Sequence, residues 1–150
     1  MCYSSGSQLL TQIPTWLIVV VGWFVVHRLT VKREQRKEAR ECVDAFVRTL
    51  RESEAKAISF HQGNVFKDDL ARALVFDIQR AIAKLKRHPF ASFNISPDSL
   101  IELRRAITLN NFDSSQFACQ PANSLILSDI ANAVDGIEDQ LESEYERIYL

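Results

Sequence analysis

The chain has 150 residues, a formal net charge of −1, three cysteines and four glycines. So few and ungrouped glycines leave no phosphate-cradling loop, and three cysteines make no disulfide framework. If an apolar N-terminal segment is set aside, what remains suffices for one small domain and not two.

Residues 1–8 carry no charge, and the apolar stretch begins at Leu9-Leu10 and culminates in the run IPTWLIVVVGWFVV, Ile13 to Val26. A bilayer core about 30 Å thick needs roughly 20 apolar residues of helix, with about 17 as the practical minimum. Residues 9–27 reach that limit and are read as a transmembrane helix. Trp16 and Trp23 sit where indoles favour the headgroup layers, Val20 lies near the centre, and Gly22 is tolerated in lipid. Gly22 is isolated, so the stretch lacks the paired-glycine pattern of close helix dimers. A signal peptide would put its basic residues before the apolar core and a small-residue cleavage site after it; neither pattern is present.

Directly behind the stretch stand Arg28, Lys32, Arg33, Arg36, Lys37 and Arg40, opposed only by Glu34 and Glu38. This asymmetry predicts a short extracytoplasmic N-terminus (1–8) and a basic juxtamembrane stalk (28–42). A cytoplasmic domain (43–150) follows, as on the inner membrane of a bacterium. The basic run also suits anionic lipid. Nucleic acid is not expected, because aromatic interleaving is absent and Glu34, Glu38 and Glu41 cut the field.

The helix is expected to continue without a break. No Gly or Pro occurs from Leu29 to Phe60, and Ala39, Val43, Phe46, Leu50, Ala57 and Phe60 line one face. Lys37–Glu41, Arg40–Asp44 and Glu52–Lys56 have i,i+4 spacing. Gly63 is read as a left-handed cap. A second helix is predicted over 65–87, capped by Asn64, with Asp68 and Asp69 at its positive end and Lys84, Lys86, Arg87 and His88 at its negative end. Phe90 and Phe93 are expected to plug the core. Ser96-Pro97 opens a third helix to about Leu109, its apolar face Leu100, Ile101, Leu103, Ile107 and Leu109. Residues 110–123 read as loop. The last helix, about 124–149, has the best pattern: Leu127, Ile130, Val134, Ile137, Leu141 and Ile148, with Glu144 in one polar slot. No alternating strand pattern is visible, so the fold class is all-α: a single transmembrane helix continuing into a helical stalk and a small helical bundle.

No catalytic motif stands out. His27, His61 and His88 are scattered and read as solvated or capping residues, without metal-ligand spacing. Ser114, Ser115 and Cys119 lack a neighbouring His and acid. Cys2 is left as a residue for intermolecular crosslinking, and Cys42 reads as a small core residue. No cofactor, metal or small-molecule substrate is indicated, and the chain is not expected to be an enzyme.

Charge is strongly segregated. Residues 28–60 hold nine Lys/Arg and six Asp/Glu, whereas 122–150 hold Arg147 against seven Asp/Glu. Such segments pair within one molecule or between copies. Asp135, Glu138, Asp139, Glu142 and Glu146 therefore form a candidate docking face for a basic protein partner. In architecture alone the chain resembles the small single-pass proteins of bacteria with an N-terminal anchor and a cytoplasmic helical domain. The expected function is that of a membrane-anchored interaction or scaffold module; the alternative is a toxin-like effector whose oligomerised spans perturb the bilayer.

Overall fold

A computed structural model describes the backbone of residues 6–150 and the side chains from Trp16 onward. Four α-helices account for most of it: α1 (Gly6–His61), α2 (Asp68–Lys84), α3 (Pro97–Thr108) and α4 (Leu125–Tyr149), with a 3-10 turn at Phe90–Ser92. No strand occurs among the described residues. The all-α expectation therefore holds. Two compact units divide the chain, one ending at Glu38 and the other Ala39–Leu150.

In the first unit α1 is exposed throughout the described residues. Trp16, Val20 and Trp23 are 68%, 58% and 66% exposed, and Gly22 has open space around its Cα. Among the described residues no helix is long and apolar enough to cross a membrane. The physical reason lies in the count: from Trp16 the apolar run meets Arg28, Lys32 and Arg33 well before a bilayer thickness is covered. Residues 1–5, including Cys2, and the side chains of residues 9–15 of the expected span lie outside the described ones.

The second unit is an up-down-up-down bundle of the C-terminal part of α1 with α2, α3 and α4. α2 returns along α1, so that Phe46 meets Phe90 (ring centroids 5.2 Å) and Lys56 meets Asp77 (2.7 Å). α4 runs antiparallel to α1, joined by Arg40–Glu142 (2.6 Å) and Arg51–Glu138 (2.5 Å). The α1 stripe predicted from spacing is buried at every position, from Ala39 and Val43 to Phe60. Leu74 and Ile78 of α2, Leu103 and Ile107 of α3, and Ile130, Ile137 and Leu141 of α4 complete the core. Each large side chain removed from water contributes about 1.5–3 kcal/mol against the entropy of ordering. Phe90 and Phe93 are buried as expected and pack edge to face (5.6 Å).

Several local expectations change. α2 begins at Asp68 rather than 65, and Lys67, not Asn64, holds the N-cap position, in an extended conformation and without a side-chain cap. The cause is Phe66, which must leave the helix to stand edge-on to Phe60 (5.5 Å) and Phe117 (5.6 Å). α2 ends at Lys84, and Lys86 and Arg87 form turns on the carbonyls of Ala83 and Lys84. Gly63 has no positive φ. Its value is steric, because its N–H donates to the Phe60 carbonyl (3.1 Å) and a Cβ would stand 3.1 Å from that same oxygen.

On α3, Ile101 and Leu109 are 53% and 60% exposed. At about 100° per residue Ile101 points roughly 160° from Leu103, so a helix covered on one face leaves it in solvent. Of the three i,i+4 pairs, Arg40–Asp44 forms (3.0 Å). Lys37 instead meets Glu34 (3.9 Å), and Lys56 reaches across to Asp77. Cys42 is half-buried against the core.

Candidate interaction surface and a buried histidine

The acidic face of α4 meets the basic positions of α1. Arg51 reaches Asp135 (2.7 Å), Glu138 (2.5 Å) and Glu54 (3.0 Å). Arg40 joins Glu142 and Asp44 and lies over the Tyr145 ring, 5.5 Å from its centroid. The hydrogen bonds these guanidiniums donate to the carboxylates raise the proton affinity of both, to Glu142 from Arg40 and chiefly to Asp135 from Arg51. Three of the five carboxylates of the expected docking face are thus engaged within the chain. Asp139 and Glu146 are exposed and make no ion pair among the described residues.

Glu144 fills the polar slot of the α4 stripe and is the most constrained carboxylate of that helix. It accepts from Arg147 (2.6 Å) and from the Asn94 backbone N–H (2.6 Å), and these bonds, Arg147 first, hold it down to about 2. It thereby ties the Phe93–Ile95 connection to α4. Gln140 does the same one turn earlier, accepting from the Ser96 N–H (2.9 Å) and donating to Ser99 Oγ (2.6 Å). For Glu144, its polar slot within the apolar stripe was the sequence signal for this role; Gln140 gave none.

On the basic segment, Arg28 lies 5.3 Å over the Phe24 ring and His27 stacks on Trp23 at 5.3 Å. Lys32, Arg33, Arg36 and Lys37 are exposed along α1. These four cations belong to the first unit, whereas Asp139 and Glu146 belong to the second.

His61 departs most from expectation. Read as a solvated or capping residue, it is completely buried. Its ring stands edge-on to Phe60 (5.1 Å) and 6.4 Å from Phe112, at the end of the bundle where α1, α3 and the 109–124 connection meet. Nε2 lies 3.3 Å from the Ile107 carbonyl, and Nδ1 lies 3.4 Å from Asn111 Nδ2. Burial lowers the ring's proton affinity, partly offset by the Ile107 carbonyl. The missed signal was its place one turn beyond Ala57, on the apolar stripe.

Among the described residues no group of three or more side chains could hold a metal ion. Compared with protein-family models, curated proteins and solved structures, the chain matches none.

Proposed function

We propose that the chain is a non-enzymatic, single-pass membrane-anchored module that recruits a basic protein partner, or assembles with copies of itself, at the cytoplasmic face. The observation that carries this reading is α1 from Trp16 to Val26: apolar side chains exposed on every side of one helix, followed at once by six cations. A helix that is apolar all round requires an apolar surrounding, and the described protein supplies none. Lipid supplies it, and the Lys/Arg asymmetry sets the orientation. The working surface is the part of the α4 acidic face that α1 leaves unneutralised, centred on Asp139 and Glu146.

The test is affinity capture of the full chain in mild detergent, comparing the wild type with an Asp139→Lys, Glu146→Lys double variant. A bound protein, or a second differently tagged copy, should be retained in the wild type, fall away with salt and be lost in the variant. Retention that ignores both salt and the reversal contradicts the docking surface. Growth arrest with dye entry on overexpression would favour a bilayer-perturbing effector instead.

A further inference from the structure

The 109–124 connection is long and largely polar, yet it is pinned around His61. Asn111, in the left-handed region (φ 59°) that asparagine tolerates, turns its side chain onto the backbone of Ala118. Its Oδ1 accepts the Ala118 N–H (2.7 Å) and its Nδ2 donates to the Ala118 carbonyl (2.8 Å). This two-point clamp fixes which end of the amide is which, because the Ala118 N–H requires an acceptor. The end facing His61 is therefore a donor, so His61 Nδ1 must accept. The ring proton then sits on Nε2 and is donated to the Ile107 carbonyl. The backbone completes the joint: the Gln120 N–H donates to the His61 carbonyl (2.8 Å), and the Cys119 thiol donates to the Gln62 carbonyl (3.1 Å).

We propose that His61 is an acid-sensitive latch for the 109–124 connection. Its neutral ring is the acceptor against which Asn111 is set, and protonation at Nδ1 turns that contact donor against donor and frees the loop. Both ring nitrogens become donors in the imidazolium, and among the described residues a single carbonyl, that of Ile107, lies within hydrogen-bond distance of the ring. The loop carries Phe112 and Phe117, which cover Phe60 at 5.1 and 5.3 Å. Phe112 also walls a groove of about 350 Å³ shared with Phe66, Val75 and Phe76. Release would uncover this aromatic cluster beside Val65 and Phe76, which are exposed in the closed form.

Titratable groups toward this end of the surrounding elements include Lys56 on α1, Lys67, Asp68 and Asp69 around the start of α2, Arg104 and Arg105 on α3, and Asp113 and Cys119 on the loop. Lys56 is paired with Asp77, Asp68 with Arg72, and Asp113 accepts from the N–H and hydroxyl of Ser115. None enters the electrostatics of the ring, which are set by burial and the Ile107 carbonyl. The latch needs no anchor, so its test is independent of the membrane reading.

The experiment is amide hydrogen exchange of the full chain in detergent micelles, corrected for intrinsic rates, together with NMR titration of the His61 ring. In the open state the ring regains an ordinary affinity near pH 6.5. Linkage then gives a loss of protection that grows as pH falls below about 6.5, at most about tenfold at pH 5.5 relative to pH 7.5 and at most about thirtyfold at pH 5. Ala118 and Gln120 should show it while α4 residues 130–141 keep their protection. The loss should begin near the open-state affinity of about 6.5, above the pH at which the ring of the closed form takes up its proton. His61→Gln, which does not titrate, should give loop protection independent of pH. Should that variant fail to fold, the wild type decides the matter: loop exchange that rises below about pH 6.5 while the closed ring titrates lower and α4 stays protected supports the latch. Unchanged loop protection in acid, a parallel loss across α4, or a pH dependence that persists in His61→Gln would overturn the latch.

Discussion

Ile137 and Asp139 stand two positions apart on α4 and answer to different physics. Ile137 is completely buried, so Ile137→Asp places an unpaired carboxylate in the core at a cost of several kcal/mol, a large part of a small domain's stability. Chemical denaturation should show the variant unfolded or far less stable, whereas Asp139→Lys, on the exposed side, should shift stability by no more than about 0.5 kcal/mol. Glu144 adds a pH signature. Its affinity is held below the ordinary carboxylate value by Arg147 and the Asn94 N–H. Its stabilisation is therefore complete above about pH 4.5 and is lost as pH falls toward about 2. Glu144→Gln should be less stable than the wild type at neutral pH, with the difference closing in that acid window. The fate of His61 shows where residue-level reading of the sequence stops. Its burial depends on the Ile107 carbonyl and Asn111, some 46 and 50 positions away. Ala57 and Phe60 mark the stripe it extends, but no local pattern names those partners.

Helix ends separate propensity from use. Ser96 and Ser124 look alike in sequence, each standing just before a helix. Ser124 caps α4 with its hydroxyl, accepting from the Leu127 N–H (3.4 Å), while Ser96 makes no side-chain cap and spends its N–H on Gln140. Ser124→Ala should therefore cost about 0.5–1 kcal/mol, and Ser96→Ala much less. Gly136 sits inside α4 with nothing within 4 Å of the point where a Cβ would stand. Gly136→Ala should raise stability by about 0.5–1 kcal/mol, readable as a higher denaturation midpoint. The buried faces of α1 and α4 were legible because the three-and-four spacing survives over many turns. The start of α2 was not, because Phe66 leaves the helical path for partners on another element.

At the scale of the molecule, the segregation of charge resolves in part inward. Arg40 and Arg51 take up Glu142, Asp135 and Glu138, and join α1 to α4 across the bundle. Pairing of a basic early segment with an acidic late one was readable from composition; which carboxylates remain outside it required the helix register. The apolar stretch is a different matter. Its composition and basic flank are plain in the sequence, while the seating in lipid proposed for it depends on the surroundings. The most direct measurement is alkaline carbonate extraction of membranes from cells making the full chain, with Val20→Arg in parallel. An arginine at the centre of so short a stretch adds roughly 2.5–3.5 kcal/mol to insertion. The wild type should remain in the membrane pellet and Val20→Arg should move to the supernatant. A wild type that is itself extracted, or a variant that stays behind with it, would contradict an anchor at residues 9–27.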